Sequence, residues 1–214
     1  MSALCLVSTG AAAGPAAAQD ETGGAHPDAT VAKVGVAKTK LHVRAGRRAF
    51  VRGRLNVAGA DPALYTAALQ VRLPGRWRTL DRDRADASGA YELGRRVRQP
   101  MSRRVRVRVR GPEDGAERAM GRLNVYRLAY ASWYGPGLYG NRLACGGRLG
   151  YDTLGVAHKT LPCGARVTLR HRGRSVRVRV IDRGPYVGGR EFDLTAATAR
   201  SLGFRGHGYV LSTR

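Results

Sequence analysis

From Val31 onward, hydrophobic residues alternate with polar ones in short runs, the period of half-buried strands rather than of helices. The clearest run is Val105-Arg106-Val107-Arg108-Val109-Arg110, apolar on one face and basic on the other. Leu41–Arg44, Ala49–Val57, Ala68–Leu73, Trp77–Leu80 and Ala90–Leu93 read the same way, and Asp86-Ala87-Ser88-Gly89 supplies a turn before the last of them. Strands of this length at turn-bounded intervals predict an antiparallel β-sandwich over residues 31–128. A second set follows within residues 129–214: Ala131–Tyr134, Thr153–Ala157, Ala165–Arg170, Ser175–Ile181 and Tyr209–Ser212. One short helix is predicted, with Thr195 as N-cap, Ala196–Leu202 as its body and Gly203 as its stop. The chain is therefore expected to be all-β, in two domains.

The segment before Val31 has a different character. Residues 1–18 are small and apolar, Ala16-x-Ala18 fits the small-residue rule for signal cleavage, and Gln19-Asp20-Glu21 then turns polar. No Lys or Arg precedes the apolar stretch, which leaves the signal incomplete at its start. Residues 19–30, polar with Gly, Pro and Asp, read as a linker. No stretch reaches the roughly 20 apolar residues of a membrane span, so the expectation is a secreted protein of the cell wall. Cys5 falls in the presumed signal. Cys145 and Cys163, in an exported chain, predict one disulfide. Neither has a partner at CxxC spacing, so no metal site and no cofactor is expected.

Charge narrows the partners. There are 38 Lys+Arg against 15 Asp+Glu, a formal net charge of +23, which favours polyanions. The ladder Arg104, Arg106, Arg108 and Arg110 can be read as a solvated outer face or as a grip on an anionic wall polymer. No helix-turn-helix, RNP motif or aromatic platform is present, so nucleic acid is not an expected partner.

Candidate chemistry gathers in the C-terminal region. Four segments stand out together: Ala131-Ser132-Trp133-Tyr134-Gly135, Ala157-His158-Lys159-Thr160-Leu161-Pro162, Asp182-Arg183-Gly184-Pro185 and Phe192-Asp193-Leu194. In order and spacing they resemble the double-psi β-barrels of the rare lipoprotein A family, with more distant similarity to expansins and barwin-like proteins. The resemblance implies a six-stranded barrel over residues 129–214 with a groove for β-1,4-linked peptidoglycan glycan strands. It also implies lytic transglycosylase chemistry between MurNAc and GlcNAc. A carboxylic acid protonates the glycosidic oxygen and then takes the proton of the muramic acid 6-hydroxyl, leaving a 1,6-anhydro end. Upstream, Gly75–Leu80, Asp86–Leu93 and Arg103–Val109 resemble small immunoglobulin-like domains of secreted bacterial proteins.

On this pattern Asp182 is the candidate acid, since it leaves the apolar strand Val176–Ile181 for a turn and has low-dielectric neighbours. Its other reading is a turn carboxylate that accepts backbone N–H groups or pairs with Arg183. The resemblance sets His158 beside that acid, either to hydrogen-bond and reprotonate it or to hold its own loop. Tyr134, Lys159, Thr160 and Arg183 are expected to contact glycan. Trp133 is expected in the core, and Asp193 to cap the helix or pair within a strand. One position departs from the family, whose enzymes carry Glu in a Thr-Ala-x-Gly-Glu segment eleven residues before the histidine. Here that position is Gly147, which cannot transfer a proton, and Asp152 is the nearest acidic residue in sequence. Two functions follow: a peptidoglycan-cleaving enzyme, or an expansin-like module that binds the wall without cleaving it.

Overall fold

The computed structural model describes residues 32–112 and 115–214, so the predicted export signal, its linker and Cys5 lie outside the described residues. Eight strands occupy the first part. They are β1 (Lys33–Lys40), β2 (His42–Arg44), β3 (Arg48–Asn56), β4 (Thr66–Leu73), β5 (Arg76–Arg84), β6 (Ala90–Arg96), β7 (Met101–Arg110) and β8 (Glu117–Tyr134). The order β1-β3-β6 forms one sheet, while β5-β4-β7-β8 runs antiparallel in another, with β2 parallel to β8 at its far side. One core lies between them: Val51, Leu55, Tyr91 and Leu93 from the first sheet meet Leu69, Val71, Val107 and Leu123 from the second. The alternation of β7 is what the sequence predicts, with Val105, Val107 and Val109 buried and the arginines between them turned away from the core.

The second part adds β9 (Val156–Ala157), β10 (Arg166–His171), β11 (Arg174–Asp182), β12 (Phe192–Thr195), β13 (Gly208–Ser212) and one helix, α1 (Ala196–Leu202). In the order β12-β9-β11-β10-β13-β8, with β12 also pairing β8, six strands close on themselves and leave no free edge. Phe192, Leu194, Val167, Leu169, Val178, Val180 and Leu202 fill the interior. A disulfide joins Cys145 to Cys163, as the cysteine pattern predicts. Among the described residues, no helix is long and apolar enough to cross a membrane.

Strand β8 serves both cores. Its first half pairs β7 and its second half pairs β13 and β12, and Leu123 to Tyr126 are buried in succession where it passes from one to the other. Opposite Val105 it carries an extra residue, and Gly121, at φ +74°, supplies the left-handed backbone that such a bulge needs. Local alternation gives no sign of so long a strand, because the burial pattern changes phase at the handover. The predicted strand Thr153–Ala157 shrinks to Val156–Ala157 for a related reason. At Gly155 the N–H turns to side chains instead of a ladder, donating to the hydroxyls of Thr195 and Thr198, while its carbonyl accepts from the Thr195 N–H at 3.1 Å and from the Thr198 hydroxyl at 2.9 Å. Only glycine fits there, since a Cβ would stand 2.2 Å from Cδ1 of Ile181.

Thr195 caps α1 and Gly203 ends it in the left-handed conformation, as predicted. Thr198→Val keeps the shape but removes the nearer acceptor of the Gly155 N–H and one of the two donors to its carbonyl, leaving both groups to Thr195 alone. It should lower stability in urea unfolding by about 1–3 kcal/mol, and Thr198→Ser should recover most of that loss. Equal stability of the Val and Ser variants would contradict the role given to this hydroxyl.

Candidate functional site

The barrel's closing strand determines which side chains meet. Asp193 on β12 is the register partner of Ser132 on β8 on one side and of Ala157 on β9 on the other. Asp182, at the end of β11, is the partner of the same Ala157 from its far side. The two aspartates therefore flank one residue across two strand spacings, about 10 Å between Cα atoms at about 4.8 Å per spacing. Alternation along β8 puts Ser132 and Tyr134 on the same side of the strand.

Asp193 sits between Phe192 and Leu194, both fully buried, and shares enough of that burial to push its pKa up. The Ser132 hydroxyl, which donates to Asp193 Oδ1 at 2.9 Å, and Arg190 pull the other way, while the negative charge of Asp182 adds to the rise. Asp182 is fixed differently: its Oδ1 accepts from the N–H groups of Ala144 and Arg183, each at 2.9 Å. These bonds tie the loop carrying Gly147 to the end of β11. Tyr134 completes the group. Its hydroxyl is buried close to the Asp182 carboxyl group without a hydrogen bond of standard geometry, and its acidity is suppressed first by burial and then by the charges and proximity of Asp182 and Asp193. An unpaired buried hydroxyl facing two carboxyl groups is a position that a ligand's polar atom can satisfy.

Several sequence expectations take a different form. Of the two readings of Asp193 the strand pairing holds: it pairs within β12, and the helix cap is Thr195. The His158 ring does not turn to the Asp182 carboxylate. Its Nδ1 accepts from the N–H groups of Thr160 and Leu161 at 3.1 and 3.0 Å, which leaves the proton on Nε2, 3.8 Å from Glu191. Burial lowers its pKa, with Glu191 opposing, so this imidazole holds its loop in the neutral form. What His158 gives Asp182 is a main-chain bond, N–H to carbonyl, at 3.2 Å. Arg183 likewise turns into the loop, donating to the carbonyls of Leu161 and His158 and lying 3.1 Å from the Cys163 sulfur. Lys159 and Thr160 are exposed beside this loop. Trp133 is 38 % exposed, because the core along β8 ends at Ala131 and the indole lies past it, so the core assignment is corrected.

Glu191 was invisible to the motif reading. It forms a two-pronged ion pair with Arg127, one arm at 2.7 Å, and lies beside His158. Its only signal in sequence is an acidic residue one position before the Phe192-Asp193-Leu194 segment. Asp152 is the side chain of an exposed ion pair with Arg200 at 3.1 Å. Gly147 has φ +80° and open space where a side chain would stand, so a residue there would meet backbone strain rather than a clash.

Tyr134→Phe removes only the unpaired hydroxyl. Urea unfolding should show stability unchanged or raised by about 1 kcal/mol, the sign expected when a buried polar group without a partner is deleted. A loss of similar size would mean that the hydroxyl stabilises the folded chain.

Over this same region the chain is similar to known proteins. The family described as Lytic transglycolase matches residues 127–211. A Synechocystis protein named "Probable endolytic peptidoglycan transglycosylase RlpA" is 50 % identical over 80 residues, covering 36 % of this chain and 25 % of that protein. Its namesake in Aquifex aeolicus is 41 % identical over 87 residues, 40 % of this chain and 38 % of its own length. The Neisseria meningitidis "Endolytic peptidoglycan transglycosylase RlpA" is 45 % identical over 80 residues, 36 % of this chain and 34 % of its own. The chain thus spans between a quarter and two fifths of the length of these curated relatives. Its closed six-stranded unit is similar to the double-psi β-barrels of the RlpA family.

Proposed function

We propose that this protein acts on peptidoglycan glycan strands at the cell wall, as a lytic transglycosylase whose proton chemistry is shared by Asp193, Asp182 and Tyr134. The observation that carries this reading is the buried, unpartnered Tyr134 hydroxyl set in the field of both carboxyl groups. Asp193, with its pKa raised by burial, donates its proton to the glycosidic oxygen as the bond from the muramic acid C1 breaks. The 6-hydroxyl of the same sugar attacks C1 and passes its proton to Asp182, so no water enters the product and a 1,6-anhydro end forms. The Tyr134 hydroxyl then relays that proton back to Asp193, which restores both groups. The names of the relatives support the substrate class.

His158, Arg183, Lys159 and Thr160 are assigned to the loop that walls the groove, the first two shaping it and the last two facing substrate. The barrel and the sandwich are taken as two domains meeting near residues 128 and 129, each with its own core. The N-terminal one is read as immunoglobulin-like, because its chain changes sheets between β1 and β2 and its two sheets enclose one core. Export is assigned on the signal-like residues 1–18.

A second reading rests on Gly147, which holds no acid where the family's enzymes carry one. In that reading the same groove binds glycan without cleaving it.

Digestion of purified peptidoglycan with the protein, followed by mass analysis of the soluble products, separates the two. The expected products carry anhydro ends, and Asp193→Asn should lower their rate of release by about 10²–10⁴-fold while pelleting on walls persists. Activity should extend above the pH range of an ordinary aspartic acid and fall as Asp193 loses its proton. Retained pelleting with no anhydro products at high protein loading would establish the binding module instead.

A further inference from the structure

Away from Asp182 and Asp193, the junction of the two cores carries a cleft of about 500 Å³ with a one-sided charge. Arg103 and Arg104 reach it from β7, Arg122 from β8, Arg166 from β10, Arg177 from β11, and Arg214 from the end of the chain. None of these six forms an ion pair with a carboxylate among the described residues, and no acidic side chain lines the cleft. Some arginines outside the cleft do find carboxylates: Arg48 and Arg52 share Glu92, Arg106 meets Glu117, and Arg127 meets Glu191. In this cleft like charges stand together instead.

The arrangement opposes folding. Arg104 and Arg122 are direct cross-strand partners, a position where like charges destabilise a sheet. Arg122 is held below its ordinary pKa, first by burial and then by the charges of Arg177, Arg104, Arg103 and Arg166. Arg177 is lowered in the same way by burial and by Arg166, Arg104 and Arg179. Yet Arg122 is locked in place, donating to the Ser102 hydroxyl at 2.9 Å and to its carbonyl at 2.6 Å. Thr168 of the barrel donates to that same hydroxyl at 3.3 Å, so the bond that aims the guanidinium also ties the two parts of the chain together. A cluster of guanidiniums without carboxylate partners, one of them held in place, suits an anion with several oxygens.

The shape favours a polymer over a single small anion. A second cleft, about 270 Å³, continues from the first through the shared Arg166 and Arg177 to Arg179. A track that crosses from one core onto the other matches a chain of evenly spaced charges. We infer that this track binds a phosphodiester-linked polyanion of the kind found in cell walls, held at the junction while the barrel groove is left free. The site is separate from the Asp193 groove, and its assignment stands whether or not the barrel cleaves glycan.

The test uses the whole protein and fluorescently labelled poly(glycerol phosphate), read by anisotropy in the absence of peptidoglycan. Binding should weaken steeply as salt rises, and Arg104→Gln/Arg177→Gln should weaken it at least tenfold. Arg54→Gln/Arg205→Gln, which removes the same charge from exposed sites elsewhere, should change it less than threefold. The first double variant should also melt at a higher temperature than the parent in low salt, because it relieves repulsion, so a loss of binding cannot be ascribed to misfolding. Equal loss in both double variants would reduce the effect to net charge and overturn the site, as would unchanged binding in the first. Tighter binding of duplex DNA of matched phosphate content, through the same arginines, would overturn the assignment to a wall polymer.

Discussion

The parallel pairing of β12 with β8 is the constraint on which the rest of this domain depends. It closes the sheet, and the same four register pairs that close it set Asp193 beside Ser132 and Leu194 beside Trp133. Because β12 also pairs antiparallel with β9, Ala157 is drawn between the two aspartates. Helix α1 begins at once after β12, and its Thr195 and Thr198 hydroxyls reach back to Gly155, one residue before β9. Closure, helix capping and the placement of two carboxyl groups are thus one local event. A chain that failed to pair β12 would lose its site together with its barrel.

Around that seam, loops are held by bonds that involve the site residues themselves. Asp182 anchors the Gly147 loop through the Ala144 N–H, while His158 and Arg183 fold the 158–163 segment onto the end of β11. The Cys145–Cys163 disulfide joins those two loops covalently. A bridge closing a loop of this length contributes about 3 kcal/mol on the chain-entropy view, and it acts beside Asp182. Residues conspicuous by motif, such as His158 and Arg183, shape the site, and the less conspicuous Asp193 and Tyr134 face into it.

Much of this was legible in the sequence, and the failures have physical causes. Period-two alternation located β7, β10 and β11, because each has one face on a core and one on solvent. The cap at Thr195 and the stop at Gly203 are local signals, legible in the residues themselves. The length of β8 was not legible, since a strand that changes partners also changes which face is buried. Asp193 allows both a helix cap and a strand pairing in sequence, and its neighbours Phe192 and Leu194, pressed into a core, decide for the strand. The ion pair of Glu191 is not legible in sequence, because its partner Arg127 lies 64 residues away. The segment order that carries the family resemblance did bring Asp182, His158, Tyr134 and Asp193 into one region, with the barrel rather than any local pattern as the cause.

Burial, with the charge of Asp182 adding to it, raises the pKa of the Asp193 carboxyl group. Carboxyl ¹³C NMR titration of the aspartate-labelled protein tests it most directly, comparing the parent with Asp182→Asn. The account predicts that Asp193 titrates above the ordinary aspartate range in the parent and moves down when the Asp182 charge is removed. An Asp193 that titrates in the ordinary range in both proteins would contradict it.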